Sequence, residues 1–465
     1  MTAQDSPLAD LVIRNGLVVT SAQESVADIA VRDGRVVQIG GEISAKKEID
    51  ASGRLVLPGG VDMHVHLSPV ELGGESTPWA DDFESGSRAA AAGGVTTIGN
   101  ITFPRTGERL MQAVTRVAAD AEAASVVDFV LHPVLLEPSD ADEAGIAALA
   151  DAGHTSIKLF MSLGDFDAKS VGFLAAMRTA GRHGVLTMVH CEDAPLIEHV
   201  SSQLVARGQG DLHHYPESRP ETSERAAVSR IVAFAEATEA PVYIVHLGSD
   251  SALREARSAR ARGQRVYVET RPIYLYFTED RFKGDDAPLF VGNPPLRGTA
   301  DQQALWAGLA AGHVDTCCSD HAAWKLEEKL DPTLTIQTAR PGMSDLETLM
   351  PLLFSEGVRK GRLSLQRFVD VTSTNAAKLF GLFPRKGTIA PGSDADLVIW
   401  DPEVSRTISG SQGQSRAGYT LYQGWQLQGA PVTTISRGEV VYSDGQVTAR
   451  PGRGSLVPRH ATRDP

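Results

Sequence analysis

Residues 58–67, PGGVDMHVHL, are where the texture of the chain changes, and their reading decides the fold. Before them stand LVIRNGLVVTSAQ (11–23), DIAVRDGRVVQIG (28–40) and EIDASGRLVLPG (48–59), short apolar runs broken by Asn-Gly, Asp-Gly and Ser-Gly, the punctuation of hairpins. They predict antiparallel strands. From residue 59 onward, brief β-rich runs at 61–67, 95–101, 126–135, 156–161, 185–191, 242–247, 265–270 and 315–319 alternate with Ala- and Arg-rich helical stretches. Runs too apolar to face water on either side imply a parallel sheet covered by helices. Eight such units over about 330 residues favour a closed barrel. After Lys386 the hairpin texture returns in GTIAPGSDADLVIWDP (387–402) and VTTISRGEVVYSDGQV (432–447). The expected architecture is therefore α/β: a (β/α)8 barrel over 59–386, a small β-sandwich built from 1–58 and 387–450, and a tail, 451–465, that is irregular and partly mobile.

Composition narrows the function classes. The chain has 465 residues, 42% hydrophobic and 22% charged, which suits a globular protein and excludes a disordered or fibrous one. No apolar run reaches the roughly 18 residues of a membrane span. MTAQDSPLADLVIRNG lacks the basic start and long apolar stretch of a signal peptide, so a cytoplasmic location is expected. A net charge of −14 repels nucleic acid and anionic membranes, leaving a small molecule as the expected partner. Three cysteines, Cys191, Cys317 and Cys318, suit a reducing compartment. Gly-Gly pairs at 73–74 and 93–94 read as turns, since no Lys-Ser/Thr follows to make a phosphate loop.

His64 and His66 lie two apart on the first predicted strand, on one face and about 6 to 7 Å apart along the chain, a chelating spacing. Four further donors close other strands: Lys158 in SIKLFM, His190 in TMVHCED, His246 in YIVHLGS and Asp320 in CCSDH. Singly, each is most often a satisfied polar residue. Together they are six nitrogen and oxygen donors converging on the C-terminal rim, where barrel enzymes keep their sites. Four imidazoles and a carboxylate suit zinc, and six donors suit two ions about 3.5 to 4 Å apart sharing a hydroxide. An ammonium cannot ligate, but a lysine deprotonated by desolvation and nearby cations can add carbon dioxide and become a bridging carbamate. Asp320 would then bind metal and also carry the proton from attacking water to the leaving nitrogen.

These motifs, with NPPLR (293–297), the run from Ser355 to Pro402 and RGEVVYSDG (437–445), resemble the cyclic amidohydrolases, most closely the hydantoinase and dihydropyrimidinase branch. The resemblance covers nearly the whole chain, in the family's order. It implies a binuclear zinc centre held by His64, His66, carboxylated Lys158, His190, His246 and Asp320, with carboxylated Lys158 and a hydroxide bridging the two ions. It also implies a barrel joined to a β-sandwich, a homotetramer, and opening of a hydantoin or dihydropyrimidine ring to an N-carbamoyl amino acid.

The chain departs from that branch where the substrate would sit. Hydantoinases and dihydropyrimidinases carry a Tyr five residues after the carboxylated Lys, and here Leu163 stands there, beside Ser162. Asn293 replaces the usual Ser before the paired prolines. Ser68 stands where dihydroorotases carry an Arg, which argues against that activity. Allantoinases also lack the Tyr, and GMSDLETLMPLL (342–353) is closer to their pattern, so allantoin opening is the rival activity. A non-catalytic scaffold related to dihydropyrimidinase is the rival from another class, and the intact ligand set argues against it. Trp324, Tyr274 and Tyr276 could line a pocket or pack in the core, and Glu192 and Asp193 could cap a helix or support a ligand.

Overall fold

The computed structural model describes residues 8–72, 75–77, 79–163 and 165–462. All eight strands expected between 61 and 319 are present, as Gly60–Val65, Val95–Thr102, Asp128–Pro133, Ser156–Phe160, Leu186–His190, Val242–Ile244, Val266–Thr270 and Thr316–Cys317. The first three pair in parallel as one sheet and the last five as another. Isolated parallel bridges from Val134 to Lys158 and from Val65 to His321 join the third run to the fourth and the first to the chain beyond the eighth. Nearly every residue of these strands is buried, because side chains on both faces pack against other elements.

The sixth and eighth strands stop sooner than their apolar runs do. Beyond them His246 and Asp320 take left-handed backbone, φ 36° and 48°, which turns the chain out of the sheet. Such a conformation costs a non-glycine residue roughly 1–2 kcal/mol and is characteristic of functional sites. A helix at Phe83–Gly93 feeds the second strand. Asp82 caps its start by accepting from the Ser85 amide, and Gly94 ends it at φ 87°. Gly93 is required for a different reason: a Cβ there would come within 2.7 Å of the Glu347 carbonyl oxygen. The expected turn at 93–94 is therefore a helix end. Gly73, Gly74, Pro78 and Gly164 lie outside the described residues, as do residues 1–7 and 463–465.

Both ends of the chain build one nine-stranded sheet. Its path runs Gln446–Val447, Glu439–Ser443, Gln426–Ser436, Leu397–Thr407, Leu55–Pro58, Ala9–Val19, Glu24–Arg32, Arg35–Ile39, with Ala45–Asp50 also paired to Ala9–Val19. The two ends meet where Leu397–Thr407 pairs antiparallel with Leu55–Pro58. Leu11, Ile13, Val31, Val56, Leu397 and Ile435 share the core on this sheet.

The tail corrects one expectation. It is irregular, but its described part is pinned: the Phe129 amide donates to the Ser455 carbonyl, and the Val457 amide donates to the Phe129 carbonyl. Val457 and Arg459 are buried as a result. Among the described residues no helix is long and apolar enough to cross a membrane.

Candidate active site

Five of the six predicted donors sit in the wall of one cavity of about 390 Å3, a size that suits a small ligand. His64 is the penultimate residue of the first strand and His66 follows that strand, with ring centroids 5.4 Å apart. Asp320 Oδ1 lies 3.1 Å from His66 Nε2 and 3.3 Å from His64 Nε2. His190 ends the fifth strand, and its Nδ1 is 2.9 Å from His246 Nε2. Lys158, the sixth donor, is completely buried beneath the wall. Its Nζ has no hydrogen-bond partner and lies 4.9 Å from the Phe160 ring centre.

The charge states suit ligation. Burial pushes the His66 imidazole down to about 4, lowers His190, and, with His190 adding to the effect, holds His246 well below the ordinary histidine range. These rings are neutral near pH 7, the form that binds a metal. Burial alone would raise Asp320, but Arg271, His64, His66 and His246 outweigh it and keep the carboxyl well below its usual range. Burial pushes the Lys158 ammonium down to about 8, against the opposing pull of Glu269 and Asp320.

Carboxylates behind the histidines fix which nitrogen each presents. Glu269 Oε1 accepts from His64 Nδ1 at 2.8 Å and from the His246 amide at 2.8 Å, leaving His64 Nε2 bare toward Asp320. Glu192 Oε2 accepts from His190 Nε2 at 2.8 Å, leaving Nδ1 bare toward His246, and Arg219 in turn holds Glu192. Such carboxylate-to-histidine contacts orient metal ligands and raise their basicity. Two nearly neutral imidazoles with facing nitrogens at 2.9 Å need a proton or a cation between them. With the unpartnered Lys158 amine, this donor set fits a divalent metal centre.

The structure separates the roles left open for two acids. Glu192 supports His190, whereas Asp193 caps the helix Ala194–Ala206 by accepting from the Leu196 amide. Asn293 is in the cavity wall, and its side-chain oxygen accepts from the Tyr215 hydroxyl. Leu163 is not among the described wall residues. Its carbonyl accepts from the Phe166 amide, and Phe166 stacks on Phe173 at 4.7 Å, which draws this turn toward the helix Ser170–Arg182. Trp324 lines the cavity edge-on to Trp79, while Tyr274 is buried with its hydroxyl on the Pro294 carbonyl, and Tyr276 packs against Trp306. Ser68 is buried and accepts from Asn100 Nδ2. The three cysteines are free and buried.

Sequence reasoning missed Glu269 and Arg271. Both close an apolar run, VYVETR (266–271), and the rule that singled out Lys158 would have found them. A second acidic group, Asp128, Asp394 and Asp396, is an ion-pair cluster, because Lys386 Nζ sits among the three carboxylates at 2.7, 3.2 and 2.6 Å.

Histidines and a carboxylate gathered at the ends of parallel strands, with His64 and His190 oriented by the buried acids Glu269 and Glu192, form a donor set of the kind metal-dependent enzymes use. A model of the amidohydrolase family matches residues 55–441, and the chain belongs to that family. It is 37% identical over 455 residues to a D-hydantoinase of Rhizobium radiobacter, covering 97% of this chain and 99% of that protein. It is similar to the structure of a D-hydantoinase from Bacillus sp. AR9, with TM-score 0.94, 35% identity, and coverage of 98% of this chain and 100% of that one. It is also similar to the dihydropyrimidinase from Brevibacillus agri NCHU1002, with TM-score 0.92, 35% identity, and coverage of 98% and 99%.

Proposed function

We propose that the chain is a hydrolase that opens a cyclic amide or imide ring of hydantoin or dihydropyrimidine type to an N-carbamoyl amino acid. The observation that carries this reading is Lys158, a buried, unpartnered amine lowered to about 8 beside the histidine and carboxylate donors. The relatives named above support the ring class. His64, His66 and Asp320 would hold one zinc ion and His190 and His246 a second, with carboxylated Lys158 shared between them. When bound, the ions supply a Lewis acid and lower the pKa of water toward neutrality.

The chain's own residues do the rest. Asp320, ionised at rest, takes the proton of the attacking water. It returns that proton to the ring nitrogen as the carbon–nitrogen bond breaks, leaving a ureido nitrogen and a carboxyl group whose remaining proton passes to solvent. Glu269 and Glu192 hold His64 and His190 in one tautomer. Trp79, Trp324, Phe103 and Phe160 line the cavity and limit water around the ring. The same reading includes closure of the eight strands as a barrel over 59–386, a terminal sandwich domain, a cytoplasmic location and a homotetramer.

Elemental analysis combined with assays on hydantoin, dihydrouracil, allantoin and dihydroorotate tests it. The expected result is about two divalent ions per chain and turnover of hydantoin or dihydrouracil. Turnover of allantoin alone would shift the reading to allantoin opening, and a metal-free chain inert on every ring would overturn it.

A further inference from the structure

Asp320 keeps an unusual backbone in order to face His64 and His66, and the contacts that hold it reach beyond the parallel strands. At φ 48° a non-glycine residue is strained and persists only where its surroundings fix it. Both chain neighbours are pinned to the first strand. The Ser319 amide donates to Asp62 Oδ2 at 3.1 Å, while Oδ1 of the same carboxylate accepts from the His64 amide at 3.1 Å. On the other side, the His321 carbonyl accepts from the His66 amide at 2.7 Å. His321 is completely buried and is held in turn by its ring. Nδ1 accepts from the Leu346 amide at 3.3 Å, so Nε2 carries the ring proton and donates it to Asp81 Oδ2 at 3.0 Å.

Asp81 is where a second part of the chain enters. Its side chain is fully buried and, besides His321, accepts from the Ser85 hydroxyl at 2.7 Å, the Arg416 amide at 2.8 Å and the Ser415 hydroxyl. Burial alone would raise this carboxyl, but His321, Ser415 and Arg416 outweigh it and lower it to about 2. Ser415 and Arg416 belong to residues 408–425, which connect the sheet strands Leu397–Thr407 and Gln426–Ser436. The connection closes at its base, where the Ile408 amide donates to the Trp425 carbonyl at 2.9 Å, and its far side packs Ala417 against Ala80 and Ala323. A buried carboxylate with every partner in place is rigid, and it transmits that rigidity to the groups that share it. None of Asp81, His321 and Ser415 is among the described wall residues of the cavity, so whatever they contribute passes through Asp320 and His66.

We propose that Asp81, His321 and Ser415 are positioning residues for Asp320. The connection from the terminal sheet fixes Asp81, Asp81 fixes the His321 ring, and the His321 backbone sets the turn that aims the Asp320 carboxylate and the His66 ring at one point. The proposal rests on the reading of Asp320 as metal ligand and proton carrier, and adds to it that the terminal sheet helps to set the aim.

The test measures kcat and KM of the zinc-loaded protein, and zinc affinity by competition with a chelator, in four variants. Asp81→Asn sets an amide NH2, which cannot accept, among the donors of His321, Ser415, Ser85 and Arg416. Groups that orient metal ligands are worth about 10–100-fold, so kcat and zinc affinity should each fall by that factor while KM changes little. Ser415→Ala leaves His321 its acceptor and should show the same pattern at about 3- to 10-fold, and Ser415→Thr, which keeps the hydroxyl, should restore both. Asp82→Asn separates aim from tethering. Asp82 binds the same connection through the Arg416 side chain, and Asn still caps the helix Phe83–Gly93, so this variant loosens the connection without touching Asp81 and should keep wild-type kcat and zinc affinity. Ser415→Ala with wild-type kcat and zinc affinity, or losses in Asp82→Asn equal to those in Ser415→Ala, would overturn the positioning role and leave ring opening standing. A protein that binds zinc but opens no ring would overturn ring opening, and the zinc affinities would then decide the positioning role by themselves. A protein that neither binds zinc nor opens a ring would overturn both.

Discussion

Lys158 is the side chain whose state decides most about the site. An ammonium with no acceptor in a fully buried position is strongly disfavoured, and the pKa of about 8 expresses that. Near neutral pH the neutral amine is within easy reach, and it is the neutral amine that adds carbon dioxide. A carbamate replaces the lone cation with an anion among imidazoles, which turns an unfavourable charge into a ligand. Intact mass spectrometry under mild conditions should therefore show one added CO2. Removing groups that merely orient metal ligands costs about 10–100-fold in metal affinity or activity, so Lys158→Ala, which removes a ligand, should cost more than about 10²-fold. Acetate or propionate should restore part of that activity. An unmodified lysine in the metal-loaded, active protein would contradict the assignment.

The C-terminal segment acts as an element although it has no regular structure. Its backbone pairs with Phe129, and Arg459 Nη1 reaches Ser156 Oγ at 2.8 Å while Nη2 donates to the Leu131 carbonyl at 3.0 Å. Ser156 begins the strand that carries Lys158, so the tail packs at the end of that strand away from the active-site rim. Burial, and then the Arg459 guanidinium, push the His154 imidazole down to about 4 and hold His132 well below its ordinary range. A histidine lowered in the folded state contributes stability that is fully present above its unfolded pKa of about 6.5 and is lost as pH falls below that value. Stability should decline from pH 7 to pH 5, with His154 alone contributing a slope of up to about 1.4 kcal/mol per pH unit. His154→Asn should flatten the pH dependence of the urea midpoint, and an unchanged dependence would contradict this.

The same segment marks where sequence reading stops. His64, Lys158 and His190 were legible because a polar residue within or at the end of an apolar strand stands out in one line of text. Glu269 and Arg271 close such a run too, but their roles arise from contact with His64, 205 residues away, and Asp320, 49 residues away. No local pattern encodes those meetings. The tail has neither periodicity nor an apolar run, so its burial is a product of the strand it finds. Leu163 was placed by counting from Lys158, and counting does not show that Phe166 draws the turn aside.

At the scale of the molecule, the terminal sheet and the parallel strands are tied through one buried cation. Lys386 lies between them, with Asp128 on the third parallel strand and Asp394 and Asp396 just before the sheet strand Leu397–Thr407. All four side chains are at most 4% exposed. Burial opposes the ammonium, but the three carboxylates outweigh it and raise Lys386 above the ordinary lysine range. A raised lysine contributes stability that is fully present below its unfolded pKa of about 10.4, so the contribution should be constant from pH 6 to pH 9. Lys386→Met removes the cation that the three carboxylates share, leaving Asp128 with Arg437 at 3.1 Å, Asp394 with Arg385 at 2.9 Å and the buried Asp396 without a salt bridge, a change that should cost up to about 3–5 kcal/mol. Protonation relieves stranded carboxylates, so this cost should shrink as pH falls toward 5, whereas replacing Asp128 and Asp396 by Asn in the same background should recover part of it at pH 7. Because the cluster spans both parts, loss of activity and the fluorescence change of Trp400, buried in the terminal sheet, should share one urea midpoint in the wild type. Two separated midpoints in the wild type, or a Lys386→Met protein as stable as its parent at pH 7, would show that the sheet and the parallel strands fold independently and that the cluster does not join them.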